Sequence, residues 1–565
     1  MGDKAVAQRA AGKEAAPVPH APRRPNLLFL MTDQQRADTI AQGGPCLTPN
    51  LQALARAGAD LRRCYAPNPI CSPTRASLFT GLLPHAHGMT DVTHAVPPQR
   101  AELVPDLPFW TQRLKAAGYR TGYFGKWHVE RSDRLEQFGI DEYQVDLRQT
   151  GVVSHAGPLE PRITIDQPGY QQFLLAGVSD TPAGRTREAE LVDLGIDFLE
   201  RVTAQRATKL AAGAAPSGEP GSHYAATVGA EAGAVTREPW ALFISTEAPH
   251  DPYVVPRELY DRYDPTATSL PASFGDDLAD KPHVYARIRE AWRDLSETEV
   301  RQAITCYHAA CSGIDDQFGR VLAALERSGQ AEDTLVVFTS DHGDYLGAHG
   351  LFLKGVAPFE EAYRVPLLLR GPGIAPGTVI DEPVSLIDLG RTLTRLLLDE
   401  DFGGHGRDLS AVVRGGEPAA DAGVSVKPGT DASTAAGGAA FASDHEPQAF
   451  AEFHGQRLGY TQRIIWRGDH KYVFNGFDRD ELYDLANDPH ELVNLAGQPQ
   501  HQALLVAMAA AMWREVRRTG DTTLGDAQYG MFRFAPVGPH TGGSLDGAGD
   551  TLGHDAARNG EDTHE

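Results

Sequence analysis

The cysteine at position 71 opens a segment whose residue spacing invites a chemical interpretation. Residues 71–81 read CSPTRASLFTG, with Pro73 and Arg75 close behind the thiol. The five cysteines of the chain are an odd, sparse set, typical of reduced thiols and not of a disulfide framework. A single cysteine is most often a small buried apolar residue. The other interpretation is covalent catalysis at this position, and the residue types alone leave both open.

Two pairs of polar residues follow short apolar runs, which places them where strands would end. Asp33 and Gln34 come after the run NLLFLM, and Asp341 and His342 come after LVVFT. Runs of this kind are typical of buried parallel strands. Open α/β sheets bind ligands at the carboxyl ends of their strands. These four residues are therefore predicted to meet at one edge of a sheet.

Strands and helices alternate over about residues 25–400, and this order predicts the fold class. It is typical of an α/β protein with a large, mostly parallel central sheet sandwiched by helices. After residue 447, alternating Tyr, Arg, Ile and Val predict a smaller C-terminal α+β subdomain with an antiparallel sheet. The predicted helices are 49–58, 108–118, 186–202, 297–328 and 500–519, and the predicted strands include 26–31, 119–124, 240–245, 335–339 and 365–369.

Shifts in composition divide the chain into domains, a linker and tails. Ala/Gly-rich stretches are read as insertions or linkers without a core of their own. Terminal stretches that lack large apolar residues are read as disordered. The predicted segments are a disordered tail at 1–24, the α/β domain at 25–412 with a low-complexity insertion at 204–238, an Ala/Gly-rich linker at 413–446, the C-terminal subdomain at 447–535 and a disordered tail at 540–565.

The acidic balance of the chain excludes several classes of partner. Lys and Arg number 52 and Asp and Glu number 75, which gives a net charge of −23. Nucleic acids and anionic membranes need stripes of Lys and Arg, so neither is expected as a partner. No apolar run is long enough to span a bilayer and the first residues lack the apolar stretch of a secretory signal, so a cytoplasmic location is predicted. The sequence leaves the oligomeric state unknown.

Six segments together resemble the formylglycine-dependent (type I) sulfatase family of the alkaline-phosphatase-like superfamily. Residues 71–81 match that family's signature C-x-P-x-R-x-x-x-x-T-G at every fixed position. The other five segments come in the family's order and extend the resemblance over about residues 25–500. They are NLLFLMTDQ near the start, GYFGKWH at 122–128, FISTEAPHDPY at 243–253, FTSDHGDYLGAHGLFLKG at 338–355 and ELYDLANDPHELVNLA at 481–496.

The resemblance implies that Cys71 is the precursor of formylglycine, an aldehyde made when a formylglycine-generating enzyme oxidises the thiol. One hydroxyl of the hydrated aldehyde would attack sulfur and expel the alcohol. The second hydroxyl would then lose its proton, so that the carbonyl re-forms and sulfate leaves. This is covalent catalysis with a built-in release step, which a plain thiol does not offer.

The resemblance also assigns Asp33, Gln34, Asp341 and His342, with the modified Cys71, to one divalent metal ion. The ion would polarise the sulfuryl oxygens and lower the pKa of the attacking hydroxyl. The set departs from the family's commonest pattern, because Gln34 offers a neutral oxygen and His342 offers a nitrogen. A mostly oxygen shell favours Ca²⁺, whereas the nitrogen and the lower charge also admit Mn²⁺ or Mg²⁺.

By the same resemblance, three cations and two histidines would surround the sulfate group. Lys126 and Lys354 match the family's sulfate-binding lysines, and Arg75 would orient the hydrated aldehyde from one helical turn away. His250 matches the general acid that protonates the leaving group. His128 would contact the formylglycine hydroxyl and assist the release of sulfate. Imidazoles titrate near working pH, as these proton transfers require.

Five further residues have structural or open interpretations. His85 and His87 look like a spaced metal pair, but packing is predicted as their role. His349 lies near the metal loop and is read as a neighbour of the site. His454 and Arg463 precede the ELYDLANDPHELVNLA segment, and the sequence leaves open whether they shape the substrate pocket.

The predicted function is that of a sulfuric ester hydrolase, acting on an alkyl, aryl or sugar sulfate. Its predicted partners are a small sulfate ester and, during maturation, the formylglycine-generating enzyme. A phosphonate monoester or phosphodiester hydrolase of the same superfamily is the alternative, because close relatives use the same aldehyde. A catalytically silent binding protein would follow if Cys71 were never oxidised. A phosphatase that uses an unmodified residue is disfavoured, because such family members carry Ser or Thr at this position.

Overall fold

The structure is a computed structural model that describes most of the chain. The predicted tails, apart from Arg24, and most of the two Ala/Gly-rich stretches lie outside the described residues. Among the described helices, none has the length and apolar character that crossing a bilayer requires. The described residues are 24–132, 134–145, 157–213, 238–416, 448–457, 459–476, 478–524 and 534–539.

The strands of the described residues alternate with helices up to residue 416 and follow one another directly near the C-terminus. In chain order they are β1 Asn26–Asp33, β2 Ala59–Leu61, β3 Cys64–Tyr65, β4 Arg120–Gly125, β5 Glu142–Val145, β6 Arg162–Ile165, β7 Phe173–Ser179, β8 Trp240–Pro249, β9 Tyr253–Pro256, β10 Thr334–Ser340, β11 Arg364–Val365, β12 Leu367–Arg370, β13 Thr378–Ile380, β14 Val384–Ser385, β15 Gln448–Phe453, β16 Gln462–Arg467, β17 His470–Phe474 and β18 Glu481–Asp484.

The α-helices of the described residues include the five that the sequence predicts. Their ends differ from the predicted ones by a few residues, except that α5 continues well beyond its predicted end. In chain order they are α1 Pro49–Arg56, α2 Cys71–Thr80, α3 Pro84–His87, α4 Trp110–Ala116, α5 Arg187–Gly213, α6 Arg257–Tyr260, α7 His283–Arg289, α8 Glu297–Arg327, α9 Glu360–Tyr363, α10 Asp388–Leu398, α11 Ser410–Val413 and α12 Gln502–Arg518.

An eight-stranded sheet at the centre confirms the predicted fold class. Its strand order is β13-β2-β12-β10-β1-β8-β4-β5. The pairs β10–β1, β1–β8, β8–β4 and β4–β5 are parallel, and β13–β2 is parallel as well. β12 pairs antiparallel with both β10 and β2, so within this sheet β12 alone runs against the other strands.

Strand β1 shows why the central strands read as unbroken apolar runs. Leu27, Phe29 and Met31 belong to one apolar core, together with residues of α2, α4 and α10. Leu28 and Leu30 belong to a second core, together with residues of α1, α5 and α8. Side chains alternate across a strand, so a sheet covered by helices on both faces requires apolar residues at every position.

A second, smaller sheet stands near the C-terminus, as predicted. Strands β15, β16, β17 and β18 pair antiparallel in chain order. Helix α12 packs on this sheet and contributes Met512 and Trp513 to a shared core with Ile465 and Tyr472. Two three-stranded sheets, β11-β3-β14 and β6-β7-β9, complete the described strands.

Two elements differ from the predictions at points where local chemistry explains the difference. The predicted strand 365–369 is split: β11 joins the β3 sheet, and β12 joins the central sheet. Pro366 stands at the break, where it has no N–H to donate to either sheet. Helix α5 continues to Gly213, into the predicted insertion, because the Ala-rich sequence of that stretch favours helix.

Candidate active site

The carboxyl edge of the central sheet gathers the predicted site residues. Asp33 ends β1, Lys126 follows β4, His250 follows β8 and Asp341 follows β10. These four strands are adjacent and parallel, so their carboxyl ends meet at one edge. Cys71 begins helix α2 beside that edge and is buried. This is the location that the sequence analysis predicts for the strand-end residues.

Arg75 joins the two aspartates through a fully buried guanidinium. Its Nη2 donates to Asp33 Oδ2 at 3.0 Å and its Nε donates to Asp341 Oδ2 at 2.7 Å. Its Nη1 donates to the backbone oxygen of Lys126 and to Ser245 Oγ. The planar fork of an arginine suits such simultaneous contacts. The guanidinium thus holds one oxygen of each carboxylate and leaves the Oδ1 atoms turned toward the cluster described next.

Four potential metal ligands lie together at the edge. Ligand atoms of Asp33, Cys71, Asp341 and His342 lie within 4.8 Å of one another, and all four residues are buried. Cys71 Sγ is 3.1 Å from His342 Nε2 and 3.7 Å from Asp33 Oδ1. His342 Nδ1 lies 2.9 Å from the carbonyl oxygen of Gly343, an acceptor only, so Nδ1 carries the ring proton. The Nε2 lone pair therefore faces the cluster, as a metal ligand requires.

Charge around Asp33 keeps this carboxyl ionised. Burial would raise its pKa, but Lys126, His250 and Arg75 outweigh that effect and hold the pKa of Asp33 well below its usual value. Lys126 Nζ lies 2.8 Å from Asp33 Oδ2. Burial would lower the pKa of Lys126, but Asp33 raises it. The two groups form an ion pair inside the site.

The Gln34 amide lies next to the cluster and is held by three charged side chains. Its Nε2 donates to Asp251 Oδ1 at 3.1 Å and to Asp344 Oδ2, and its Oε1 accepts from Lys354 Nζ. Its backbone N–H donates to Asp341 Oδ1 at 3.1 Å. Gln34 thus lies among the site residues, and its ligation of a metal stays a prediction.

Lys354 and His250 form the other wall of the site. Lys354 Nζ lies 2.6 Å from His250 Nε2 and 3.5 Å from Asp251 Oδ1. His250 Nδ1 lies 2.6 Å from the backbone oxygen of Asp251, and its Nε2 lies 3.8 Å from Asp33 Oδ1. Burial would lower the pKa of His250, but the carboxylates of Asp251 and Asp33 act against it, and the pKa is raised.

His128 is buried near Lys126 and bonds outside the cluster. Its Nε2 lies 3.1 Å from Nδ1 of His94, and the two rings stack. Burial, Lys126 and Arg75 together hold the pKa of His128 well below its usual value, so the ring is neutral. The pKa values of the two candidate proton-transfer histidines are therefore shifted in opposite directions, because carboxylates raise that of His250 whereas burial and cations lower that of His128.

Four residues that touch these side chains are absent from the predicted site. Asp251, Tyr253 and Asp344 lie within segments that resemble the family, whereas His94 lies outside them, and each residue contacts a partner far along the chain. Asp344 accepts a hydrogen bond from the Tyr253 hydroxyl, and burial raises the pKa of Asp344 to about 6. The four residues are His94, Asp251, Tyr253 and Asp344.

The five residues with structural or open interpretations lie away from the cluster. His87 is buried against Ser77, and His349 stacks on Phe359 and bonds to Asp276. His85 and His454 both contact Glu452, and Arg463 is buried against Asp521. No contact of Arg463 or His454 with the predicted site residues occurs among the described side chains.

The donor set suits a hard divalent cation together with an anionic substrate. Two carboxylates and one imidazole nitrogen are ligands that Ca²⁺, Mn²⁺ and Mg²⁺ accept. Lys126 and Lys354 add two buried ammonium groups beside this set. Cations held in a water-poor pocket stabilise negative charge far more than they do in bulk water. The arrangement can therefore bind an anionic group beside residue 71.

Comparisons with known proteins agree with this chemistry. Residues 25–399 match the family model described as Sulfatase. The choline-sulfatase of Rhizobium meliloti is 29% identical in an alignment of 508 residues that covers 87% of this chain and 87% of its own. The uncharacterized sulfatase YidJ of Escherichia coli is 30% identical over 84% of this chain and 83% of its own. A phosphonate monoester hydrolase of Silicibacter pomeroyi shares the fold, with a TM-score of 0.66, 23% identity and coverage of 89% of this chain and 97% of its own. This chain therefore belongs to the sulfatase family, the hydrolases of sulfuric ester bonds.

Proposed function

We propose that this protein hydrolyses a small sulfate ester through a formylglycine made from Cys71. The observation that carries the proposal is the position of Cys71, whose Sγ lies between His342 and Asp33 at the carboxyl edge of the sheet. The match of residues 25–399 to the sulfatase family supports the same chemistry. The maturation partner would be a formylglycine-generating enzyme, which acts on the signature that begins at Cys71.

Asp33, Asp341 and His342 are the residues that would hold the metal ion, with residue 71 and Gln34. When bound, the ion supplies Lewis acidity at the sulfuryl oxygens and acidifies a hydroxyl at residue 71. We favour Ca²⁺, because most of the donors are oxygens, and Mn²⁺ or Mg²⁺ is the alternative. Arg75 would keep both carboxylates in place while the substrate enters and leaves.

Two further functions, charge neutralisation and proton transfer, are assigned to Lys126, Lys354 and His250. The two lysines would neutralise the sulfuryl oxygens, and His250 would donate a proton to the leaving alcohol from Nε2. That nitrogen lies 2.6 Å from Lys354 Nζ. Because two proton-bearing groups repel, we infer that Lys354 turns toward the bound sulfate and frees Nε2 of His250 to hold its proton.

The chain also resembles enzymes that act on phosphorus. The phosphonate monoester hydrolase with the TM-score of 0.66 covers 89% of this chain, a likeness of fold alone. Sulfate and phosphonate esters differ in the charge and geometry of one central atom, and both suit a site of two lysines and a divalent ion. Hydrolysis of a phosphonate monoester or a phosphodiester is therefore the second candidate function.

The first experiment is mass spectrometry of the tryptic peptide 64–75 from protein made with a formylglycine-generating enzyme present. This peptide contains Cys64 as well as Cys71, so it carries an internal control. After alkylation, we expect one alkylated thiol at Cys64 and an aldehyde or its hydrate at position 71. Two alkylated thiols under these conditions would refute the proposed nucleophile and favour the binding-protein interpretation.

The second experiment compares turnover of an aryl sulfate, a phosphonate monoester and a phosphodiester. We expect the highest kcat/KM for the sulfate, loss of activity after chelation and its return with Ca²⁺. Cys71→Ala should abolish turnover of all three, whereas Cys64→Ala tests for a general effect of removing a buried cysteine. A higher kcat/KM for the phosphonate would replace the sulfatase proposal by the second candidate.

A further inference from the structure

His94 contacts His128, and this contact has no role in the reaction proposed above. It is an exposed residue of the segment between α3 and α4. Its ring stacks on that of His128, with centroids 5.1 Å apart and planes inclined by 21°. Its Nδ1 lies 3.1 Å from His128 Nε2, which is hydrogen-bonding distance. The buried histidine of the site is thus joined to a residue at the protein surface.

The other ring nitrogen of His128 has no such contact. Nδ1 is buried and has no hydrogen-bond partner among the described residues. The whole residue is only 2% exposed. Buried polar atoms without a partner are rare in folded proteins, and an unpaired N–H is the rarer kind. No described residue pairs with the Nδ1 atom, so we expect its partner to be a group bound at the site.

The tautomer of His128 decides what that partner can be. A neutral imidazole carries one proton, so one ring nitrogen donates and the other accepts. Burial lowers the pKa of His128, and the positive potential of Lys126 and Arg75 lowers it further. A positive potential favours a lone pair over an N–H at the unpartnered nitrogen. The proton then belongs on Nε2, in the bond to His94.

We propose that His94 is a positioning residue whose Nδ1 accepts the Nε2 proton of His128 and so leaves His128 Nδ1 as a base. The inference rests on the proposed function and on the role that the family resemblance implies for His128, which is contact with the hydroxyl at residue 71. In the proton transfer, the O–H bond breaks, the proton goes to His128 Nδ1 and the electron pair stays on oxygen. The Nε2–H bond to His94 then stabilises the imidazolium that forms.

Two substitutions of His94 separate the hydrogen bond from the stacking. His94→Phe keeps a ring that can stack but has no hydrogen-bonding atom. His94→Asn loses the ring but keeps an amide oxygen near the position of Nδ1. His283→Phe is the matched control, because that side chain is 82% exposed. Urea unfolding of all three variants checks that each is folded.

The first readout is the tautomer of His128 in full-length protein with unmodified Cys71. Two-bond ¹H–¹⁵N NMR spectra of ¹⁵N-histidine protein distinguish the two tautomers, and His128→Gln assigns the signal. We expect Nε2–H in the parent protein and in His94→Asn, and a substantial Nδ1–H population in His94→Phe. An Nδ1–H tautomer in the parent protein, or the same tautomer in all variants, would overturn the proposal.

The second readout is steady-state kinetics of the matured enzyme. We expect kcat to fall about 10- to 100-fold in His94→Phe with little change in KM, because general base catalysis contributes about 10²–10⁴-fold. His94→Asn should recover most of that loss, and His283→Phe should match the parent. Equal losses in both His94 variants would point to stacking alone and refute the hydrogen-bond role. If the parent enzyme hydrolyses no sulfate ester, the NMR result still decides the role of His94.

Discussion

At the scale of single residues, Arg75 has the largest consequence for the site. Its side chain is fully buried and pairs with both Asp33 and Asp341. Removing one partner of a buried ion pair leaves an uncompensated charge, which costs about 3–5 kcal/mol. The guanidinium is therefore as much a structural part of the site as a chemical one.

We predict that Arg75→Met lowers the free energy of unfolding by about 3–5 kcal/mol in metal-free protein. Part of the loss should return with Ca²⁺, because a divalent ion bound by the same carboxylates replaces the missing charge. Urea unfolding with chelator and with Ca²⁺ measures both effects. The control is Arg293→Met, since that arginine pairs with Glu290 at the surface and is 67% exposed. Similar losses in the two variants would contradict the prediction.

The burial of His87 leads to a second prediction, which concerns how the free energy of unfolding depends on pH. Its Nδ1 accepts the N–H of Met89 and its Nε2 lies 2.8 Å from Ser77 Oγ, so the buried ring is neutral. Burial lowers the pKa of His87 to about 3. Between that value and the ordinary value of about 6.5, the unfolded chain binds a proton that the folded chain does not. Stability therefore falls as pH falls through this range, by about 1.4 kcal/mol per pH unit.

We expect His87→Asn to flatten this dependence by up to one proton, although it also lowers stability at neutral pH. Urea unfolding at several pH values between about 4.5 and 7 measures the slope for parent and variant. His283→Asn, at a residue with an 82% exposed side chain, should leave the slope unchanged. An unchanged slope in His87→Asn would show that His87 takes up its proton in the folded state.

At the scale of elements, the end of β4 determines where Lys126 and His128 lie. Gly125 has φ 113°, and a Cβ at this residue would lie 1.9 Å from the carbonyl oxygen of Ser245 in β8. The next residue, Lys126, donates its N–H to that same oxygen at 2.9 Å. Only glycine allows the two strands to approach so closely at the point where the chain turns into the site.

We predict that Gly125→Ala destabilises the protein more than Gly118→Ala and lowers activity. Both glycines have positive φ, but a Cβ at Gly118 would meet nothing within 4 Å. The comparison isolates the clash with Ser245, for which about 1–3 kcal/mol is expected beyond the backbone cost that both variants share. Thermal unfolding and kcat/KM measure the two effects. Equal stability of the two variants would mean that β4 moves away from β8 without cost.

The elements also show how far the sequence determines the structure and where it stops. The apolar run of β1 and the residues after it could be predicted, because a strand covered on both faces has an unmistakable pattern. The contact of Gln34 with Asp344 could not, because it joins residues 310 positions apart. The pairing of His94 with His128 depends in the same way on how a loop folds back over the strand ends. Hydrophobic periodicity in the sequence predicts the strands and helices, whereas tertiary packing determines such long-range contacts.

At the scale of the whole molecule, the C-terminal sheet supports the segment that leads into Cys71. Glu452 of β15 donates its N–H to the Pro67 oxygen at 2.9 Å and accepts from Asn68 Nδ2 at 2.7 Å. The Trp466 ring stacks on Tyr65 with centroids 4.2 Å apart. The segment that leads into Cys71 is thus held by both regions of the chain, although the proposed metal ligands lie at the edge of the central sheet.

This dependence predicts the behaviour of a chain that is cut between the two regions. A specific protease site placed within residues 417–446, which belong to the predicted linker 413–446, should give two fragments that stay together and remain active after cleavage. The chain 1–416 produced alone should lack activity, because β3 and the residues before Cys71 lose their contacts with β15 and β16. Gel filtration and sulfatase assays of the cut and truncated proteins measure both outcomes. An active chain 1–416 would show that the central domain positions Cys71 without the C-terminal sheet.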